Sequence, residues 1–219
     1  MDSNMLEIMK SRHSVRSYMD TPIPKKAIDQ LMQSVNIYNS KANLHIQLVT
    51  NNKKAFTGIM AHFGKFRGVN NYFAMVGKKD ELLDEKIGYY GEKLVLQAQK
   101  LGLNTCWVAV TYKKRKCQIT IDKNEKLVCL IALGYGNTQG VPHKSRDMNQ
   151  LYTVEGEMPT WFLEGMQAAM LAPTAMNQQR YLFSLVDGQV ELKALKGSYS
   201  KIDLGIVKYH FELGSGKKL

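Results

Sequence analysis

Acidic residues, cysteine, proline and long apolar runs are all scarce in this chain. The 219 residues hold 19 Asp and Glu against 30 Lys and Arg, a net charge of +11 with the five His neutral. The three cysteines, Cys106, Cys117 and Cys129, are an odd number without a C-x-x-C pair, which excludes a disulfide framework and points to a reducing, cytoplasmic setting. Two of them sit in apolar runs, where they read as small core residues. The histidines are scattered singly, with no H-E-x-x-H and no cysteine partner, so no metal site is expected. The longest apolar run is Leu127 to Leu133, far short of the ~20 residues that span a bilayer, and Met1 to Lys10 carries Asp2 and Glu7 where a leader would be apolar.

Several nucleotide and hydrolase signatures fail as well. Gly134, Gly136 and Gly140 follow an apolar strand, but the third glycine comes one residue late and Pro142 stands where a dinucleotide-binding helix would open. Gly214-Ser215-Gly216-Lys217 lacks the spacing and the following hydroxyl of a phosphate loop, and it reads as a frayed terminus. No G-x-S-x-G elbow offers a serine nucleophile.

What remains is a chain with 44% apolar residues, enough to build a core. Leu6 to Lys10 reads as a short helix. Ala27, Ile28, Leu31, Met32 and Val35 form one helical stripe entered through Pro22 and Pro24, followed by a polar loop from Asn36 to Asn43. Leu44 to Leu48 alternates as a strand does, and Tyr72 to Val76 is a second strand ended by Gly77. Ile87, Tyr90, Leu94, Ala98 and Leu101 predict a helix closed by Gly102. Thr105 to Val110 and Leu127 to Leu133 read as buried strands, Lys113 to Lys116 as a basic loop, and Asn137 to Asn149 as a polar excursion.

The pattern then begins again. An offset of 134 carries the helix stripe onto Trp161, Phe162, Gly165, Met166 and Ala169, again behind a proline, and carries Ser40 to Thr174 and Asn43 to Asn177. Three residues more pair Ile46 and Leu48 with Phe183 and Leu185, and Ile202 to Leu213 supplies a last helix. An internal duplication is expected, with a first portion at 1–150 and a shorter second portion at 151–219 packed as one unit. Two amphipathic helices share their spacing automatically, so this expectation rests on the loop matches.

Arg12, Ser14 and Arg16 alternate, so that two guanidinium groups and a hydroxyl can point to one side of an extended segment. Guanidinium forks match phosphate oxygens, and sheltered contacts of this kind are worth roughly 1.5–3 kcal/mol each. Lys144 and Arg146 make a second pair far along the chain. A solvated basic loop is the alternative at both places.

Arg12-His13-Ser14-Val15-Arg16, Leu101 to Trp107, Leu133-Gly134-Tyr135-Gly136 and Lys144-Ser145-Arg146, in this order and separation, resemble the flavin-dependent nitroreductase family. The resemblance implies an α+β fold with a mostly antiparallel central sheet flanked by helices, and one FMN whose phosphate is held by Arg12, Ser14, Arg16, Lys144 and Arg146, with His13 beside them. The family's A-P-S-x-x-N-x-Q-P-W-x-F segment is degenerate over residues 36 to 49 but nearly intact from Ala172 to Phe183. Pro173, Thr174, Ala175, Met176, Asn177 and Gln178 are thereby implied as flavin contacts. Gln179 and Arg180 are departures, read as standing where proline and tryptophan would follow the glutamine. Trp107, Val108 and Ala109 fall where relatives supply a backbone amide to flavin N5. A tryptophan at 107 is more often a core residue than a cofactor stack, and a turn residue is the alternative for Asn177.

The resemblance further implies NAD(P)H as electron donor and a small acceptor such as a nitroaromatic or quinone, with no obligatory side-chain acid or base. A single chain folded as a pseudo-dimer would need no partner, although a homodimer stays open. A flavin-binding protein without turnover is one alternative. Nucleic-acid binding driven by the +11 charge is another, but the basic residues are spread along the chain and no recognition motif accompanies them. The expectation is a small-molecule enzyme, with neither nucleic acid nor membrane as partner.

Overall fold

The computed structural model describes residues 3–58 and 62–219. Met1 and Asp2, which the leader reading includes, lie outside them. The chain divides into two compact units: one takes residues 12–83 and 94–141, the other 1–11, 84–93 and 142–219.

The first unit is built on a four-stranded antiparallel sheet. Helix α2 (Lys25–Ala42) opens behind Pro24, whose carbonyl accepts from the amides of Ala27 and Ile28. The predicted loop at 36–43 is instead the last turns of this helix. Asn39 explains the extension: its side-chain oxygen accepts from Ile46 N at 2.8 Å and its amide donates to Ile46 O at 2.9 Å, fastening the helix end to the following strand. Asn43 then turns the chain with left-handed backbone (φ 53°), which asparagine tolerates better than most residues.

Strands β1 (Gln47–Val49), β2 (Asn71–Lys78), β3 (Asn104–Val108) and β4 (Glu125–Gly134) lie in the order β1-β2-β4-β3. Tyr72, Ala74 and Val76 of β2 share one apolar face with Cys106 and Val108 of β3 and with Leu127, Leu130 and Ala132 of β4. A register shift between Met75 and Val76 explains why Leu127, rather than Val128, joins this face. Phe73, Met75, Ile131 and Leu133 on the opposite face are fully buried too, which accounts for continuous apolar runs where a half-exposed sheet would alternate. Helix α3 (Leu83–Lys100) ends as its spacing predicts: Gly102 takes φ 74° and Leu103 N returns to Ala98 O. The strand predicted over 105–110 stops at Val108, and Val110 is exposed.

The second unit holds α1 (Ser3–Ser11), the first half of α3, helices α4 (Thr160–Ala169) and α5 (Ser200–Ser215), and a separate sheet of β5 (Tyr152–Val154), β6 (Tyr181–Val186) and β7 (Gln189–Ala194). β5 pairs with β6 in parallel and β6 with β7 antiparallel. Its core is aromatic. The ring of Phe211 stacks on Phe183 at 4.6 Å and meets Phe162 edge-on at 5.4 Å. Gly165 permits this, because a Cβ there would lie 2.6 Å from the Phe211 ring. His210 of α5 is wholly buried, with Nδ1 3.2 Å from Ala168 O and Nε2 2.9 Å from the buried Glu92. Both ring nitrogens are thereby within hydrogen-bond reach of oxygen atoms, and the imidazole ties α5 to both α4 and α3.

The expected frayed tail is tied down. Lys217 Nζ sits 4.0 Å above the Trp161 ring, and Leu219 N donates to Glu212 Oε1. The offset of 134 pairs Asn43 with Asn177, which share left-handed backbone, but it also pairs helical Ser40 with extended Thr174.

Candidate functional site

In the first unit, residues 12 to 18 form a pinned, extended segment. Ser14 bridges Thr105 of β3 in parallel, and Val15 N donates to Thr105 O at 3.0 Å. Farther on, Arg67 N donates to Arg16 O, Tyr18 N to Arg67 O, and Met19 N to Tyr135 O, each within 2.9 Å. Gly68 is required beside this pairing: it has φ 67°, and a Cβ there would fall on the Tyr18 carbonyl oxygen. Val15 and Tyr18 are the buried anchors of the segment, and the Tyr18 hydroxyl returns to Val15 O at 2.6 Å.

These anchors fix where the polar side chains go. Burial pushes the Cys106 thiol up, while Arg16, a hydrogen bond with Ser14, and Arg12 all act to lower it. Arg12, Ser14 and Arg16 thus all act on one buried thiol. Arg12 is only 4% exposed, unusual for a guanidinium, whereas Arg16 is exposed. Tyr18 is likewise raised, by burial and by Cys106, against the opposing effect of Arg16. His13 is half-buried, its Nδ1 3.1 Å from Gln139 O. Trp107 and Val108 are the last two residues of β3, opposite Ile131 and Leu130, and Ala109 is the first beyond it. Trp107 is half-buried, and Val108 packs in the core.

The second unit brings Lys144 and Arg146 together with the Pro173–Gln178 segment. Asn177 Nδ2 donates to Lys144 O at 2.8 Å. Gln179 does more: Nε2 donates to Lys144 O at 3.0 Å, and Oε1 accepts from Arg146 N at 2.9 Å. Its own backbone N–H donates to Thr174 Oγ1 at 3.1 Å. Gln178 stays local, donating to Ala175 O. Laid residue by residue from Ala172, the family motif places its glutamine at Gln179, with Arg180 in the place of proline and Tyr181 in that of tryptophan. Gln179 was therefore misread as a departure, one position out of register. The buried clamp it forms is what sequence reasoning missed, and the signal available was the second glutamine of the Gln178-Gln179 pair.

Strain marks this loop. Met176, Asn177 and Gln179 all take positive φ, 50°, 54° and 50°, and Met176 projects with 74% of its surface exposed. Non-glycine residues in this region cluster at ligand-binding loops. Beneath it, Asp203 of α5 accepts from Ala175 N at 2.9 Å, while its other oxygen is buried without a hydrogen-bond partner. Burial pushes this carboxyl up to about 7, against the hydrogen bond from Ala175. Tyr181 is raised by burial and by Asp203, with Arg146 acting in the opposite sense. Arg146, Tyr181 and Asp203 are thus neighbours under the loop.

His45, Asp122 and Glu125 bring their ligand atoms within 4.8 Å of one another. His45 Nδ1 lies 2.8 Å from Glu125 Oε2, which also accepts from the Asp122 backbone N–H at 3.0 Å. Among the described residues no helix is long and apolar enough to cross a membrane.

A family model described as "Putative TM nitroreductase" matches residues 4–215. Three solved structures are similar in fold. One is described as a putative nitroreductase from Thermotoga maritima, 20% identical, with a TM-score of 0.69 over 96% of this chain and 82% of that one. A putative nitroreductase in complex with FMN from Desulfovibrio desulfuricans is 15% identical, with a TM-score of 0.55 over 73% of this chain and 100% of its own. A putative NADH dehydrogenase/NAD(P)H nitroreductase from Bacteroides thetaiotaomicron is 18% identical, with a TM-score of 0.54 over 69% and 97%. Curated protein sequences give no match. The antiparallel sheet with its helices is the arrangement these likenesses share, and the family match spans nearly the whole length: the chain belongs to the TM nitroreductase family.

Proposed function

We propose that the chain is an FMN-dependent oxidoreductase that passes electrons from NAD(P)H to a small acceptor such as a nitroaromatic or quinone. The observation that carries this reading is the pinned, extended segment that sets Arg12, Ser14 and Arg16 on alternate positions, with Arg12 almost wholly sheltered. Guanidinium groups present a planar fork of donors that matches phosphate oxygens, and a monophosphate fits the donors that Arg12, Ser14 and Arg16 offer. Lys144 and Arg146 are the further cationic contacts in this reading. The strained loop from Pro173 to Gln178 faces the flavin, and the end of β3 at Trp107, Val108 and Ala109 offers backbone amides to the ring. His13 orients the phosphate segment through the Gln139 carbonyl.

FMN, when bound, accepts hydride from the nicotinamide and returns electrons to the acceptor. The residues of the chain bind, orient and shield. Arg12 and Arg16 neutralise phosphate charge, and Met176 presents apolar surface at the loop tip. One FMN per chain is the stoichiometry of this reading. The family match and the FMN-bound Desulfovibrio relative support the flavin, and the Bacteroides relative supports the donor.

The test begins with the purified protein: it is expected to be yellow, to release FMN on denaturation, and to oxidise NAD(P)H with a quinone or nitroaromatic present. Protein that takes up no added FMN would refute the cofactor. Protein that binds FMN without oxidising NAD(P)H would favour a flavin-binding role without turnover.

A further inference from the structure

We propose that Gln179 is the positioning residue through which this protein prefers FMN to unphosphorylated riboflavin. It does so by fixing the backbone from which the Lys144 and Arg146 side chains reach the phosphate. This rests on the reading of Lys144 and Arg146 as phosphate contacts. The geometry favours it on three counts. Residues 137–147 carry neither helix nor strand, so Lys144 and Arg146 have no sheet or helix ladder to hold them. The Gln179 amide bridges that gap by bonding Lys144 O and Arg146 N on either side of Ser145, the pattern a neighbouring strand would make. Finally, Gln179 is itself immobilised. It is 2% exposed, its N–H is bound to Thr174 Oγ1, and Nε2 also donates to Asn177 Oδ1 at 3.0 Å. Asn177 adds a second donor to the same Lys144 carbonyl, so two side chains of one loop hold one basic segment.

Lys and Arg side chains are long and carry many rotamers, and their value to an anion depends on a fixed starting point. A glutamine whose oxygen and nitrogen both bond backbone supplies that point without touching the ligand. Leucine at 179 has similar bulk but makes neither bond, leaving Arg146 N without its acceptor. The loss should fall on the phosphate and not on the isoalloxazine ring.

The experiment measures dissociation constants of FMN and of riboflavin, by quenching of flavin fluorescence, for the full chain and for Q179L, with melting temperatures recorded alongside. The parent chain is expected to bind FMN at least tenfold more tightly than riboflavin. In Q179L that preference is expected to fall about tenfold, with riboflavin affinity changed less than twofold. Equal losses for both flavins, or an unchanged preference, would overturn the role of Gln179 while leaving the phosphate site standing. A parent chain indifferent to the phosphate would instead overturn the phosphate reading itself. Should Q179L fail to fold, Q179E retains the acceptor for Arg146 N but loses the donors to Lys144 and Asn177, and it is judged by the same FMN-to-riboflavin ratio.

Discussion

Arg12 and Arg16 sit four residues apart on one pinned segment, yet the structure makes their substitution unequal. Arg12 is 4% exposed and Arg16 lies at the surface. A charge-assisted contact sheltered from water contributes roughly 1.5–3 kcal/mol, whereas an exposed ion pair contributes about 0.2–1 kcal/mol. At about 1.4 kcal/mol per factor of ten, R12A should weaken FMN roughly 10- to 150-fold and R16A no more than roughly fivefold. R12K, which keeps the charge but loses the planar fork, should fall between R12A and the parent chain. The assay is fluorescence titration of FMN at low and high ionic strength, with melting curves to establish that each variant is folded. Salt should erase most of the Arg16 contribution and spare most of that from Arg12, because screening acts on exposed charge first. The reasoning is refuted if R16A loses as much affinity as R12A, or if a folded R12A binds FMN within twofold of the parent.

Three other substitutions test the packing that supports the site. The Asp203 carboxyl, raised from 3.8 to about 7, holds its proton more tightly folded than unfolded. The stability this brings is present below about pH 4 and is lost as pH rises to about 7, by roughly 4 kcal/mol at most. D203N should therefore flatten the fall in melting temperature between pH 4 and 8 and melt above the parent at pH 8; parallel curves would refute the assignment. G68A forces a side chain into φ 67° and onto the Tyr18 carbonyl. It should cost at least about 1–3 kcal/mol in urea unfolding, and a change under roughly 0.5 kcal/mol, the range of ordinary surface substitutions, would show that the pairing at Arg67 yields easily. F211A removes the fully buried ring that stacks on Phe183 and meets Phe162 edge-on, and should cost roughly 3–5 kcal/mol, read by the same unfolding curves. A loss below about 1 kcal/mol would mean the core of that unit collapses to fill the space.

Elements bounded by local chemistry were legible in advance. Pro24 and Pro159 mark the starts of α2 and α4, Gly102 marks the end of α3, and the apolar stretches of β2 and β4 stand out because both of their faces are buried. The errors came where long-range partners decide. Residues 36 to 42 are polar enough to read as a loop, yet they stay helical because Asn39 bonds forward to Ile46. β5 was invisible, being three residues long and held by parallel pairing to β6. The β6–β7 hairpin had a local signal that went unread: Asp187-Gly188 takes positive φ at both positions, as a two-residue hairpin turn requires.

The site divides in the same way. Charge and alternation are local, so Arg12, Ser14 and Arg16 could be grouped from sequence, and they lie on the extended segment pinned to β3. The clamp at Gln179 depends on contacts 33 and 35 residues away, and no spacing rule reaches that far. Its energetics nevertheless explain why the loop keeps an unfavourable shape. Left-handed backbone costs roughly 1–2 kcal/mol per ordinary residue, and Met176 and Gln179 both adopt it beside the more tolerant Asn177. Against that cost stand the Gln179 bonds to Lys144, Arg146 and Thr174, the Asn177 bond to Lys144, and the buried Asp203 oxygen on Ala175 N. At about 1 kcal/mol for a typical net hydrogen bond, these five contacts are of the right size to hold the strain in place. The strained backbone and the fixed basic segment are therefore one device: releasing either the glutamine or the left-handed turns would free the other.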